Sequence, residues 1–423
     1  MIPAREAALL TLYDIIYNGA YSNLALKERL ALNRGMEPRE KALLTMLVYG
    51  VVSRHYTLVH IIGKYSSVKL NKIDKNIMLI LELGMYQLLY TDKIPDRAAV
   101  DESVKLARKK NKHASGFVNA VLRSFIRDGK KIVYPAKGTP EHLAVKYSYS
   151  VEMTKLFIDN FGERAESVMD ALNEPPGLIL RANIIKNNAE ELADRLSIDG
   201  VKGSLISGTD LLACKGFDIA DSILYSRGYF SVQDAAAYNT SVVLDPKPGD
   251  TVIDMCAAPG GKSTHIAELM GDNGTVIACD IHKHKLKLID DAAKRLGLHS
   301  VKTELSDGTE CKEKYIETAD SVLCDVPCSG LGIIRRKPDI KLRESDISSL
   351  PGIQLSILKN GSKYVKHGGA LVYSTCTINK YENHEVTDRF LSSAPDFVKT
   401  YEKLYLPDEN GTDGFYICKM ERK

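Results

Sequence analysis

A chain of 423 residues, 44% hydrophobic and 26% charged, is long enough for two or three domains and ordinary enough in composition to be globular. No stretch approaches the roughly 20 apolar residues of a membrane span, and the polar start, Met1 to Glu6, leads straight into an amphipathic pattern, which argues against a signal or transit peptide. Eight scattered cysteines without a CxxC pair fit a reducing cytoplasm, and the net charge of +3 conceals 22 Lys/Arg against 12 Asp/Glu in residues 1–135, a balance that expects a polyanion to meet the first part of the chain.

Residues 1 to about 130 read as helical throughout. The runs 7–16, 41–52, 73–89 and 98–107 repeat apolar residues at three- and four-residue spacing. Pro38 and Pro95 stand at helix starts, where a missing N–H costs little. A last helix opens at Gly116 and ends near Gly129. Between the final two helices lies Arg108-Lys109-Lys110-Asn111-Lys112-His113, suited either to phosphate contacts or to solvation as a loop. Pro135, Gly138 and Pro140 mark a linker over 130–145. Helices over 151–160 and 164–172, a strand over 178–183 and a helix over 188–196 then make a small α+β subdomain, 145–235. Beyond it, strands at 251–255, 275–279, 301–305, 320–324 and 370–374 alternate with helices. An all-α first domain, 1–135, is thus joined to a doubly wound, Rossmann-like α/β domain, 236–423. The stretches 396–401 and 414–420 supply a closing antiparallel pair.

The stretch Asp254-Met255-Cys256-Ala257-Ala258-Pro259-Gly260-Gly261-Lys262 joins the first of these strands to a helix. It is a tight small-residue turn through which a ligand reaches the N–H groups of a helix start. Three ligands compete for it. A dinucleotide fold wants G-x-G-x-x-G, and only Pro259-Gly260-Gly261 is present. A P-loop wants G-x-x-x-x-G-K-[ST]; Gly261-Lys262-Ser263 matches its end, but Cys256 stands at its first position. S-adenosyl-L-methionine wants acceptors at successive strand ends. Asp280 follows the second strand, placed for ribose hydroxyls, Asp307 follows the third, placed for an adenine amino group, and Asp325 follows the fourth. Lys262 suits a carboxylate, either of the methionine moiety or of an acidic neighbour.

Two further stretches, Asp325-Val326-Pro327-Cys328-Ser329-Gly330 and Ser374-Thr375-Cys376-Thr377, put a cysteine just past the fourth and fifth strands. Cys324, inside a strand, belongs to the core. One Cys-x3-Cys spacing without a second pair does not suit zinc, and no metal is expected. A thiolate beside a methyl donor suits a pyrimidine. C5 is a poor nucleophile until a thiolate adds to C6 and makes it enamine-like; a base then removes the C5 proton so that the thiol can leave. Asp325 near the ring nitrogen would steady the electron-rich intermediate. Stacking hides C5 and C6, so the target must be an unstacked or single-stranded pyrimidine, with Arg335, Arg336 and Lys337 available for flanking phosphates. A non-catalytic RNA-binding factor built on the same sheet is the alternative from another class, and methyl transfer from labelled cofactor discriminates the two.

Ala98-Ala99-Val100-Asp101-Glu102-Ser103-Val104 and Phe117-Val118-Asn119-Ala120-Val121-Leu122-Arg123 resemble the NusB family of RNA-binding helical domains. The motifs at 254–262, 325–330 and 374–377, in this order and spacing, resemble the RNA cytosine-5 methyltransferases. Together they make the chain similar over nearly its whole length to the RsmB (Sun, Fmu) family of ribosomal RNA cytosine-5 methyltransferases. That resemblance implies Cys376 as nucleophile and Cys328 as the helper that releases product. It implies cofactor contacts from Cys256, Ala257, Ala258, Pro259, Gly260, Gly261, Lys262, Asp280, Asp307 and Asp325. It further implies a cytoplasmic enzyme, expected to be a monomer with no membrane partner, that methylates one cytosine of 16S ribosomal RNA.

Overall fold

The computed structural model describes residues 2–217, 219, 221–343 and 348–423. They form two compact units, 2–173 with 334–343, and 174–333 with 348–423. In the first unit the helices Ala4–Asn18, Pro38–Tyr65, Lys75–Tyr90, Asp96–Lys110 and Ser115–Arg127 share one apolar core. Lys75–Tyr90 is buried nearly all round from Ile77 to Leu88, as a central helix must be. Pro38–Tyr65 is, by length and composition alone, apolar enough to cross a membrane. That corrects the expectation that no stretch approaches a span. The apolar content goes into packing: Leu44, Val48, Val51, Leu58 and Ile62 are fully buried in the core.

Two helices here escape the sequence reading. Ser22–Leu32 carries leucines at 24, 26, 30 and 32, yet Leu26 is buried while Leu24 and Leu32 are exposed, so no apolar stripe marks its inner face. Pro140–Tyr147 replaces part of the expected linker. Pro140 takes the first helical position, and the Thr139 hydroxyl accepts the His142 N–H at 3.2 Å.

The segment 334–343, which holds Arg335, Arg336 and Lys337, groups with this helical unit. Its anchor is Lys341, 2% exposed. The ammonium reaches Ser53 O and Tyr147 O at 3.2 Å each and Asn173 Oδ1 at 2.5 Å, and sits 3.9 Å from the centre of the Tyr149 ring. Burial, with Arg54 adding repulsion, drives its pKa well below the ordinary lysine value. Asp339, also buried, accepts from Ser22 and from Arg343.

The second unit contains two sheets. Strands β1 (Leu178–Ala182), β2 (Gly203–Leu205), β3 (Leu211–Cys214) and β4 (Phe230–Val232) form an antiparallel sheet in the order β2-β3-β1-β4. Strands β2 and β3 are too short and polar-flanked to have been read from the sequence. The larger sheet contains β5 (Thr251–Asp254), β6 (Thr275–Asp280), β7 (Val301–Leu305), β8 (Ala319–Asp325), β9 (Val365–Thr375), β10 (Phe397–Tyr405) and β11 (Phe415–Arg422), in the order β10-β11-β9-β8-β5-β6-β7. Strands β5 to β9 run parallel, and β10 and β11 close the sheet antiparallel. The order reverses at β5, flanked by β6 and β8, the place where open α/β sheets bind ligands at their carboxyl ends. Arg181 of β1 ties the small sheet to the helix Gly261–Leu269. Its guanidinium donates to Gly261 O at 2.9 Å and to Glu268 at 2.8 Å, with both side chains 1% exposed.

Candidate active site

The strand ends deliver their side chains to one open cleft of about 340 Å³. Cys256, Ala258, Asp280, Asp307, Asp325, Cys328 and Cys376 line it, with Ile281, Ile353 and Ile357 as apolar wall. The floor is the turn after β5. Ala258–Pro259 is a cis peptide, and Gly260 sits at φ +100°, where a Cβ would meet the Ile289 Cα at 3.1 Å. Only glycine fits that backbone. Helix Gly261–Leu269 begins immediately after it, and nothing lies within 4 Å of where a Gly261 Cβ would stand, so the helix start is open. Ala257, Pro259, Gly260, Gly261 and Lys262 shape the turn without lining the cleft.

Lys262 turns its ammonium to Asp325, 2.7 Å from Oδ2 and 5.0 Å from the Phe415 ring centre. The Ser374 hydroxyl donates to the other Asp325 oxygen at 2.7 Å. Burial opposes the lysine's charge, but Asp325 and then the Cys376 sulfur outweigh it and raise its pKa. Asp280 Oδ1 accepts from His282 N at 2.8 Å, and Asp307 Oδ1 accepts from the Thr309 N–H at 2.8 Å and hydroxyl at 2.7 Å.

Cys328 and Cys376 meet at the same wall, sulfur to sulfur, at 3.2 Å. Contact with the Cys376 sulfur, then burial, then the charge of Glu382 push the Cys328 thiol well above its ordinary pKa. Cys256 and Cys324 are also raised, chiefly by burial, and Cys324 is fully buried in the core as expected.

A polar clamp that sequence reasoning missed joins the loops carrying the two sulfurs. Glu382 is fully buried. One of its oxygens accepts from the Ser329 hydroxyl at 2.5 Å and from the Asn379 amide at 2.9 Å. The other accepts from the Ser329 N–H at 2.8 Å and from Gln354 Nε2 at 3.0 Å. Its neighbour Asn383 accepts from Thr375 Oγ1 at 2.6 Å and donates to Thr377 O at 3.1 Å. In sequence these residues stand in the polar run Asn379-Lys380-Tyr381-Glu382-Asn383, which carries no apolar periodicity and reads as a solvated loop.

Residues 241–421 match the model of the family described as 16S rRNA methyltransferase RsmB/F, and residues 2–127 match the NusB family. The probable ribosomal RNA small subunit methyltransferase B of Bacillus subtilis is 39% identical, covering 99% of this chain and 98% of its own. The corresponding Vibrio vulnificus protein is 33% identical over 99% of both. The chain belongs to the RsmB/F family of 16S rRNA methyltransferases.

Solved structures agree. One, 27% identical, superimposes at a TM-score of 0.83 over 100% of this chain and 99% of its own. The methyltransferase homolog protein from Pyrococcus horikoshii is 28% identical at a TM-score of 0.60, covering 68% of this chain and all of its own. This RsmB/F enzyme is S-adenosylmethionine-dependent, and its cleft suits that molecule. Asp280 and Asp307 each keep one oxygen without a partner among the described residues, the isoleucines offer a flat apolar wall, and Lys262 is committed to Asp325 rather than turned outward for a triphosphate. The dinucleotide and P-loop readings are thereby set aside.

Asp254, 1% exposed beneath the turn, accepts from the Ser263 hydroxyl at 2.6 Å. Burial pushes its carboxyl from 3.8 up to about 7, the Ser263 bond opposing and Asp325 adding to the rise. The folded chain therefore holds this proton more tightly than the unfolded chain. The resulting stabilisation is complete below about pH 3.8 and lost as pH rises through about 7. Asp254→Asn should remove that dependence. Its melting temperature relative to the unsubstituted enzyme should climb between pH 5 and pH 8, by an equivalent of roughly 2–3 kcal/mol. Paired melts at the two pH values that gave the same difference would contradict this.

Proposed function

We propose that this enzyme methylates C5 of one unstacked cytosine in 16S rRNA through a covalent bond between the Cys376 sulfur and C6, with Cys328 completing product release. The observation that carries the reading is the 3.2 Å contact of two sulfurs at the wall of a methyl-donor cleft. Backbone from Cys256 to Lys262 with Asp280, Asp307 and Asp325 would hold the cofactor, which supplies an electrophilic methyl group when bound.

The chain's own residues supply the rest. The raised Cys328 thiol keeps its proton 3.2 Å from Cys376, whose sulfur lies in the field of the Lys262 ammonium. Cys376 attacks C6 as thiolate, and the displaced electron pair makes C5 nucleophilic. Asp325, pinned by Lys262 and Ser374, stands ready to accept from the cytosine amino group and so orient the ring. The Cys328 proton passes to the ring as the adduct forms. After methyl transfer, Cys328 as thiolate takes the C5 proton, the double bond re-forms and Cys376 is expelled as thiolate. The ring then sheds to solvent the proton it took from Cys328 and the pair again shares one proton, so atoms and charge balance with one proton released per methyl transferred.

The helical unit supplies affinity. Arg108, Lys109, Lys110, Lys112 and His113 are exposed at the end of helix Asp96–Lys110 and in the turn after it. A triple reversal of Arg108, Lys110 and Lys112 to Glu should weaken RNA binding by about tenfold or more at low salt and flatten its salt dependence. Filter binding over a salt series measures both, and an unchanged slope would remove this surface from the interface. The direct test of function is bisulfite mapping of 16S rRNA from cells with and without the protein. One cytosine should lose its methyl group in the deletion and regain it on complementation, and identical maps would overturn the reading. A cytoplasmic, membrane-free monomer is the form expected to act.

A further inference from the structure

Two loops have to be held together for the sulfur pair to exist, since Cys328 follows β8 and Cys376 follows β9. Neither sulfur is restrained by a covalent bond. A carboxylate does the holding. Glu382 is fully buried, yet no ammonium or guanidinium pairs with it among the described residues; its partners are the Ser329 N–H and hydroxyl, Asn379 and Gln354. Gln354 Nε2 also donates to Pro327 O at 3.0 Å, so the clamp grips the Cys328 loop on both sides of the cysteine. Ser329 Oγ further contacts Thr377 Oγ1 at 2.8 Å, which reaches the loop of Cys376.

A buried carboxylate held only by neutral donors is costly as a packing device. An amide or a small apolar cluster could join two loops without an ionised group. Four donors converging on one group leave no place for a side-chain N–H and demand an acceptor with two oxygens. The charge thus has an address: it lies on the Cys328 side of the pair, whereas the Lys262 ammonium lies close enough to Cys376 to be influenced by it. Charges of opposite sign thus act on the pair: Glu382, which accepts from the N–H of Ser329 next to Cys328, and Lys262.

We propose that Glu382 is a positioning residue for product release, fixing the loop of Cys328 to the loop of Cys376 and placing a negative charge on the Cys328 side of the sulfur pair. The inference rests on the covalent reading given above. It makes the division of labour between the two cysteines a property of their surroundings: a negative neighbour favours the sulfur that ends each cycle with a proton, and a positive one favours the sulfur that begins each cycle without it.

The test uses the full-length enzyme with RNA. Glu382→Gln keeps the volume and removes the charge; Glu382→Asp keeps the charge; Ser329→Ala removes one strand of the clamp without burying anything new. Binding of labelled S-adenosylmethionine reports whether each variant is folded. Glu382→Gln is expected to bind cofactor within about twofold of the unsubstituted enzyme, while product release in a single turnover slows by about tenfold or more and RNA–protein adduct accumulates on denaturing gels. The pH profile for alkylation of Cys328 by iodoacetamide, followed by mass spectrometry, should move about one unit toward acid in Glu382→Gln and stay in place in Glu382→Asp. A purely structural role would not move that profile selectively. If Glu382→Gln fails to bind cofactor, Ser329→Ala carries the test, with release slowed about threefold or more and visible adduct. Release at the unsubstituted rate in Ser329→Ala and in every folded Glu382 variant, with adduct still trapped by Cys328→Ala, overturns this inference alone. No adduct from Cys328→Ala either would overturn the covalent reading beneath it.

Discussion

Cys376→Ala is expected to abolish methyl transfer, a loss of at least about 10⁴-fold, whereas Cys328→Ala is expected to attack its RNA and then stall as a covalent protein–RNA adduct. The two outcomes differ although the sulfurs are only 3.2 Å apart. On the proposed mechanism, without Cys376 no sulfur bonds to C6 and C5 never becomes nucleophilic, so nothing downstream takes place. Without Cys328 addition still proceeds, but the group that removes the C5 proton is gone and the thioether cannot be expelled. Denaturing gels with labelled RNA separate the cases: a shifted, protease-sensitive band for Cys328→Ala and none for Cys376→Ala. Methylation by Cys376→Ala at the ordinary rate would end the assignment. Adduct from Cys376→Ala instead would interchange the roles of the two sulfurs.

Lys262→Met should lower the single-turnover rate by roughly 10²–10³-fold while leaving the fold intact. Its ammonium is 2.7 Å from Asp325 and mostly buried, its side chain 15% exposed. Removing one partner of such a pair leaves the other charge uncompensated in the cleft, and the Cys376 sulfur loses its nearby cation in the same step. Methionine puts an uncharged thioether of similar length where the ammonium lies 5.0 Å from the Phe415 ring centre, so the space stays filled. Lys262→Met combined with Asp325→Asn tests the coupling. The double variant should regain thermal stability lost in the lysine variant without regaining rate, because the buried charge is removed but the cation is still missing. Activity in Lys262→Met within a few-fold of the unsubstituted enzyme would show that the lysine serves the fold alone.

Much of this site was legible in the linear chain because local chemistry announced it. Gly260, in the turn from Cys256 to Lys262, has to be glycine if the backbone is to pass at φ +100° between a strand and a helix. The acids and cysteines that follow strands had to fall at one edge once the strands were parallel, and Asp280, Asp307, Asp325, Cys328 and Cys376 do line one cleft. Glu382, Asn383 and Lys341 were not legible. Glu382 and Asn383 stand in a polar run and Lys341 between Ile340 and Leu342, and nothing in periodicity distinguishes a polar side chain that will be sealed from solvent from one that will be bathed in it. Burial of a charge depends on partners distant in the chain: Ser329 and Gln354 for Glu382, and Ser53, Tyr147 and Asn173 for Lys341.

Periodicity and strand–helix alternation were enough to set the class of fold, the helical front and the parallel sheet with its antiparallel closure, while the family rested on the resemblance of the motifs at 254–262, 325–330 and 374–377. These follow from hydrophobic spacing and from backbone conformations that few residue types permit. The contact of two sulfurs, the Lys262–Asp325 pair and the joining of the cysteine loops through Glu382 depend on separations in space between residues that lie 28 to 63 positions apart in the chain. Such distances are set by how β8 and β9 register beside β5 and by what fills the gaps around them, and no local pattern in the sequence encodes them.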